Sequence, residues 1–340
     1  MNLHQLGEFG LIRHLSGSLA TRPGVKLGIG DDAALLDALS APIVTCDCLV
    51  EGVHFRRDWT TPYLLGRKAL NVNVSDVAAM GGRCVAAFVT LALGPDVELT
   101  WVEELYRGLE SAAAEAGCTI AGGDTSRASQ TFLSITLLGD APSPVLRSGA
   151  RVGDVLVVTG TLGDSAAGLA LLQQGQKGSQ DADESLVLAR HFDPMPRGRE
   201  MNAALEVAAS GNVQDEGARA VSAALDLSDG LAGDARHIAA RSEVSLEIEV
   251  AKLPLSSGAR AVAERLATDP VAWALRGGED YELLLCVAPQ AVAQLTQYVT
   301  TATGTPMTVV GRCVPREAAP VILLYPEGRR EVAEGAWEHF

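Results

Sequence analysis

The stretch GDAPSPVLRSGARVGD, from Gly139 to Asp154, decides how the chain divides. Pro, Ser, Gly and Arg gather there between two apolar segments, a composition that favours turns over continued strand or helix. At 340 residues the chain exceeds what one ordinary core serves, so two domains of roughly 150 residues are expected. The break predicts a first domain over residues 1–140 and a second over 148–340.

Upstream of the break, the pattern predicts a helix around Gly7–Leu15, strands near Val25–Ile29 and Ile43–Asp47, and a helix over Pro62–Met80. A β-rich run at Val85–Leu93, a helix over Glu98–Ala116 and a strand at Phe132–Leu138 follow. Trp101, Leu105, Leu109 and Ala112 recur at spacings of four, four and three, which places them on one face of a helix. Downstream, DVLVVTGTLGDSAAGLALL reads as a short apolar strand, a Gly-rich turn and a helix. Further helices are expected at Glu184–Arg190, Arg199–Ala209, Gly233–Arg241 and Pro289–Thr301, with strands at Ser245–Val250, Tyr281–Val287 and Met307–Arg312. Hairpin-like and helix-linked strands together point to α+β or mixed α/β layers.

With 47% hydrophobic and 20% charged residues, the composition is globular rather than disordered. No apolar run approaches the roughly 18 to 20 residues of a membrane span. The N-terminus MNLHQLGEFG lacks a basic region followed by an apolar one, so secretion is not expected. The six cysteines form no C-x-x-C pair and read as reduced thiols of a cytoplasmic protein. A net charge of −15 argues against a nucleic-acid partner. An anionic small substrate stays possible, provided that arginine or metal supplies local positive charge.

The acids share one local grammar: Asp beside Gly, Ser or Thr at the end of an apolar segment. Asp31 and Asp32 stand in GIGDDAAL, Asp47 in TCDCLVEGVHF, Asp76 in NVNVSDVAAMGG, Asp124 in IAGGDTSR, Asp226 and Asp229 in ALDLSDGL, and Glu279 and Asp280 in GGEDYELL. Each alone reads equally as a turn residue or helix cap. Asp32 and Asp280 read more as structural. Taken together, with the hydroxyls of Ser75, Thr125 and Ser228 and no His or Cys cluster nearby, they favour Mg²⁺ over zinc. Cys46 and Cys48 form only a C-x-C, a weak metal signal, and the lone His54 reads as packed rather than metal-ligating.

Mg²⁺ is commonly shared between carboxylates and phosphates, which makes a nucleotide the natural partner. At about 4 Å a phosphate and a carboxylate repel by roughly 4 kcal/mol even at an effective dielectric of 20, and a metal reverses that sign. Phosphates could rest on the backbone of Gly122 and Gly123, or on the helix N-terminus in TGTLGDSAAG. Arg147 reads equally as a bidentate phosphate clamp and as a solvated linker arginine. No Walker-type or protein-kinase motif set is present.

The ordered motifs GIGDDAAL, DCLVEGVHF, KALNVNVSDVAAMGG, IAGGDTSR, LRSGARVGDVLVVTGTLGDSAAGLALL, ALDLSDGL, GGEDYELL and terminal WEHF closely resemble those of the thiamine-monophosphate kinase family. That family lies within the superfamily of aminoimidazole ribonucleotide synthetase, selenophosphate synthetase and the hydrogenase maturation factor HypE. The resemblance implies a two-domain α+β fold with mixed sheets covered by helices, and a homodimer formed by the N-terminal domains. It implies that Asp31, Asp47, Asp76, Asp124, Asp226 and Asp229 are Mg²⁺ ligands, with Thr45 and Cys46 at neighbouring contact positions. Gly123, Asp124, Arg147 and Ser228 match ATP contacts, and His54, Glu279 and Trp337 match contacts to thiamine monophosphate. Two departures stand out. Cys46 occupies a position where Ser or Thr is expected, so any metal contact there would use its backbone carbonyl. The ending GAWEHF also differs slightly from the family's Gly-aromatic close.

The implied reaction is transfer of the ATP γ-phosphoryl group to thiamine monophosphate. The acceptor phosphate is anionic near neutral pH, so neither a strong general base nor a covalent phosphoenzyme is expected. Two rivals remain: another ATP-dependent phosphorylating member of the superfamily, and a non-catalytic module that binds nucleotide or metal.

Overall fold

The computed structural model describes residues 3–209 and 220–333. The chain separates into two compact units, one of residues Met1–Val77 with Gly82–Ser143 and one of Ala78–Gly81 with Pro144–Phe340.

The first unit holds α1 (Leu3–Ser16), β1 (Val25–Leu27), β2 (Leu35–Leu36), β3 (Pro42–Val50), α2 (Pro62–Ala79), β4 (Arg83–Leu93), α3 (Leu99–Ala116), β5 (Thr119–Arg127) and β6 (Phe132–Asp140). β1 and β2 make a small antiparallel ribbon, and the other strands form a four-stranded sheet in the order β3-β6-β4-β5. Its pairs are antiparallel except for β4 with β5. Strand alternation gives the sheet two different faces. Leu49, Leu133, Ile135, Leu137, Val89 and Leu91 turn inward against Leu65 and Leu70 of α2 and Leu105 and Leu109 of α3. On the opposite face of β3, Val44, Cys46 and Cys48 are exposed, and Val44 keeps 65% of its surface. Strand register continues that face through Cys46–Thr136–Phe88 and Cys48–Ser134–Thr90. Toward β4 this face is partly covered, since Phe88 packs against Val25, Val85, Ala86 and Ala121, as does Leu36 of β2.

The second unit holds β7 (Val155–Thr159), α4 (Asp164–Gln173), α5 (Ala182–Phe192), α6 (Gly198–Ala209), β8 (Val221–Asp226), α7 (Leu231–Ser242), β9 (Ser245–Glu249), α8 (Ser257–Leu266), α9 (Pro270–Arg276), β10 (Leu283–Val287), α10 (Val292–Thr303), β11 (Met307–Val314), β12 (Val321–Leu324) and β13 (Arg330–Val332). The strands form one seven-stranded mixed sheet in the order β13-β12-β9-β11-β7-β10-β8. Both faces are covered. Leu156, Val158, Leu284 and Ile248 pack against Leu231 and Ile238 of α7 and Leu275 of α9. Val157, Leu283, Leu285 and Val287 pack against Met201 of α6 and Leu295 and Val299 of α10. Burial on both sides is why the central strands VLVV and LLLCV read as unbroken apolar runs rather than alternations.

Several expectations need correcting at the level of elements. IAGGDTSR, to which the sequence pattern assigns no element, lies within β5, an edge strand. The strand expected from Tyr281 begins at Leu283, because Glu279 and Tyr281 adopt left-handed backbone with φ of 68° and 51°. α8 and α9 were not foreseen, although each carries an N-cap, Ser256 to Ala259 N–H and Asp269 to Val271 N–H.

Candidate active site

The structure brings together Asp47 and Asp76 in the first unit, and Asp226, Asp229 and Asp234 in the second. In the first, Thr45 and Asp47 project from β3 on the helix-covered side, opposite Leu137 and Ile135 of β6. Thr45 Oγ1 donates to Asp76 Oδ2 near the end of α2. The Asp47 N–H donates to Asn73 Oδ1 at 3.1 Å, and Asn73 Nδ2 donates to the Ala69 carbonyl at 3.1 Å. The fully buried Asn73 thus ties the helix to the strand that carries Asp47. Burial first, and then the charge of Asp76, pushes the Asp47 carboxyl up to about 6. Asp76 stands close to the C-terminal end of α2, where the helix dipole also disfavours an anion. Among the described residues, neither acid has a Lys or Arg ion-pair partner. Such a pair invites a cation.

Cys46 points to the other side of the sheet, where its Sγ lies 3.4 Å from both Ser134 Oγ and Thr136 Oγ1. Its thiol is therefore turned away from Asp47 and Asp76. Asp31 and Asp32 are exposed, and the Asp31 carboxylate accepts the Asp32 N–H at 2.9 Å. Asp124 is exposed on β5 in register with Thr90. The preceding Gly123 has φ of 147°, and a Cβ there would sit 1.9 Å from the Val89 carbonyl oxygen. Strand packing alone requires that glycine, whatever else it does. His54 accepts the Val50 N–H through Nδ1 at 3.0 Å, which fixes its proton on Nε2.

In the second unit, β8 ends at the buried Asp226 and α7 begins at Leu231. The loop between them is joined to residues 279–282. Leu227 N–H donates to the Glu282 carbonyl, Glu279 N–H to that of Ser228, and Tyr281 N–H to that of Leu227, each at 2.8 Å. Gly278 allows this contact, because a Cβ there would stand 2.5 Å from the Ser228 carbonyl oxygen. Asp229 N–H donates to Asp234 Oδ2 at 2.9 Å. Asp234, which the sequence reading missed, therefore stands among these acids. Burial pushes its carboxyl up to about 8; the Asp229 N–H opposes this, and the charges of Asp229 and Asp226 add to it. It obeys the same Gly-Asp grammar as the others, but the helical periodicity of LAGDARHI hid it. The exposed Arg147 is anchored by its carbonyl, which accepts from Ser242 Oγ at 2.8 Å, and its charge reaches Asp234 and His237.

The acids of GGEDYELL have distinct destinations. Asp280 accepts the N–H groups of Gly163 at 2.7 Å and Ser165 at 3.3 Å. The N-terminus of α4, expected to be open to phosphate, is thus filled by the chain's own carboxylate. Glu282, 2% exposed, accepts Arg197 Nε at 2.6 Å, a second Arg197 N–H and Thr159 Oγ1 at 2.6 Å. Glu279 remains half-buried, with Oε2 3.4 Å from Nδ1 of His191. Trp337 lies outside the described residues.

No three His, Cys, Asp or Glu side chains among the described residues converge into a ready ion cage. That suits Mg²⁺, which takes one or two carboxylates and completes its shell with phosphate and water. The hard oxygen donors and the unneutralised Asp47–Asp76 pair fit such an ion.

The chain thus consists of two mixed-sheet units, with acids borne on β3, α2 and β5 in the first and at the end of β8 and start of α7 in the second. Residues 30–141 match the family described as AIR synthase related protein, N-terminal domain, and residues 151–323 match its C-terminal domain. The chain is 36% identical to the thiamine-monophosphate kinase of Aquifex aeolicus over 100% of both chains. The crystal structure of thiamine-monophosphate kinase from Stenotrophomonas maltophilia matches with a TM-score of 0.78 and 34% identity, covering 94% of this chain and 97% of that one. AaThiL complexed with AMPPCP and TMP matches with a TM-score of 0.75 and 36% identity, covering 100% and 99%. The chain belongs to the thiamine-monophosphate kinase family, within the AIR synthase related proteins.

Proposed function

We propose that the chain transfers the γ-phosphoryl group of ATP to thiamine monophosphate, giving thiamine diphosphate and ADP. The observation that carries this reading is the full-length likeness to AaThiL complexed with AMPPCP and TMP. An oxygen of the acceptor phosphate forms the new bond to the γ-phosphorus, and the bond to the β-phosphate bridge oxygen breaks as ADP leaves. Transfer is direct and in line, with no phosphoenzyme, so the protein supplies position and charge rather than a nucleophile.

Asp31, Asp47, Asp76, Asp124, Asp226 and Asp229 are assigned to Mg²⁺, with Thr45 beside them and Cys46 contributing only through its carbonyl. Bound there, Mg²⁺ neutralises the charge of the transferring phosphate. Gly123, Asp124, Arg147 and Ser228 are assigned to ATP. His54, whose tautomer leaves Nε2–H as a donor, is assigned to the phosphate of thiamine monophosphate. Glu279 and Trp337 are assigned to its rings, the acid facing the cationic thiazolium.

A homodimer is proposed through the exposed side of β3, because Val44, Cys46 and Cys48 present an uncharged, largely apolar row there. The six free thiols support a reducing, cytoplasmic setting. No helix among the described residues is long and apolar enough to cross a membrane. No nucleic-acid partner is proposed for a chain of net charge −15.

The test is acceptor choice. Thiamine monophosphate and free thiamine are each offered with ATP and Mg²⁺, and thiamine diphosphate and ADP are separated by chromatography. Product from the monophosphate alone supports the reading; ADP formed only with another acceptor would move the chain to a different branch of the superfamily.

A further inference from the structure

The second unit buries a histidine that the assignments above leave without a role. His191, on α5, is 6% exposed. Its Nδ1 lies 3.0 Å from Ser165 Oγ and 3.4 Å from Glu279 Oε2. An ionised carboxylate only accepts, so favourable contact with Glu279 requires the proton on Nδ1, shared with the serine hydroxyl.

The surroundings make this arrangement specific. Ser165 stands in the first turn of α4, and its N–H donates to Asp280, the residue after Glu279. The backbone of Glu279 is fixed by its N–H bond to the Ser228 carbonyl at 2.8 Å. Its left-handed φ of 68° sets the direction in which its side chain leaves the loop. Peptide and ring contacts therefore converge on one acid that retains 26% of its side-chain surface, while its neighbours Asp280 and Glu282 are consumed inside the fold. A long acid that wandered among rotamers would lose that freedom on meeting a ligand; one already held has lost it beforehand.

We propose that His191 is the positioning residue of Glu279: its Nδ1–H holds the Glu279 carboxylate in place for the cationic ring of thiamine monophosphate. This rests on the assignment of Glu279 as a substrate contact. Ser165 is the second arm, keeping the imidazole turned so that Nδ1 faces the carboxylate.

The experiment compares H191L, H191N, S165A and E279Q with the wild-type full-length enzyme. KM for thiamine monophosphate, KM for ATP and kcat are read separately. H191L is expected to raise KM for thiamine monophosphate about fivefold, the weight of one ordinary polar contact, with kcat and KM for ATP within about twofold. In H191N the amide nitrogen takes the place of Nδ1, so that variant should recover most of the loss. S165A should show a smaller rise in the same constant. A uniform fall in all constants, equal KM values in wild type and H191L, or no recovery in H191N would overturn the role of His191. Should H191L fail to fold, H191N and S165A decide the matter by the same split. E279Q separates the two layers. If E279Q raises KM for thiamine monophosphate and the His191 variants do not, only the positioning role fails. If E279Q leaves that KM unchanged, the Glu279 assignment fails and the positioning role falls with it.

Discussion

In the second unit Glu282 is buried and surrounded by donors: two N–H groups of Arg197 and the hydroxyl of Thr159. Glu200 lies 3.6 Å from the same guanidinium and accepts Thr305 Oγ1 at 2.6 Å. In the first unit Asp47 sits half-buried beside a second acid, Asp76, and is pushed up to about 6 by burial and by that neighbour. In the first arrangement each carboxylate is met by donors of the chain itself, the Arg197 guanidinium and the Thr159 and Thr305 hydroxyls. The second leaves its charge to be answered from outside. Acids of one residue type therefore separate into scaffold and site by the company they keep, and both kinds occur in the acid-rich motifs that the sequence displays.

The comparison can be broken or sharpened by substitution. Arg197→Met should have the largest effect, a loss of about 3 to 5 kcal/mol in the stability of the second unit, because Glu282 would remain buried without its cation. Denaturant melts check this, and a loss below about 1 kcal/mol would mean that Glu282 is not held as described. Asp47→Asn should do the reverse. Turnover falls on the order of 100-fold, while the metal-free melting temperature is no lower than that of wild type. A large loss of stability would place Asp47 with the scaffold.

Asp31→Asn should reduce turnover far more than Asp32→Asn, since Asp32 contributes mainly the N–H that Asp31 accepts; equal losses at the two positions would contradict that division. The smallest effect is expected at Asp140. The Ala41 N–H, opposed by burial and aided by Ser40 and Arg83, holds its carboxyl below the usual range. Its stabilisation is present above the unfolded carboxylate value and is lost as pH falls through the depressed folded value. Asp140→Asn should therefore lower the melting temperature at pH 7, by an amount that shrinks as pH falls below the usual carboxylate range. A difference independent of pH would point to shape rather than charge.

Much of this was legible in the chain. The face of α3 announced itself because Leu105, Leu109 and Ala112 bury along one stripe, and all three are fully buried. The chain passes between the two units at Ser143 and Pro144, but Ala78–Gly81 also group with the second unit, a crossing inside an apolar helical pattern that no turn-rich composition marks. β5 was hidden because GGDTSR is written in turn residues, and only the close approach of Val89 explains a glycine inside that strand. Asp280 read as structural and is, capping the α4 N-terminus, whereas Asp234 could not be sorted from spacing, since its partner, the Asp229 N–H, is set by packing. His191 meets Glu279 across a long separation in sequence that no local pattern records.

The most direct test of the central claim is thiamine diphosphate formation from ATP and thiamine monophosphate across a Mg²⁺ titration, in wild type and Asp47→Asn side by side. The account predicts product only with Mg²⁺ in the wild type. In the variant it predicts a loss on the order of 100-fold that more Mg²⁺ partly restores. Product formation independent of Mg²⁺, or a variant as active as wild type at every concentration, would contradict it.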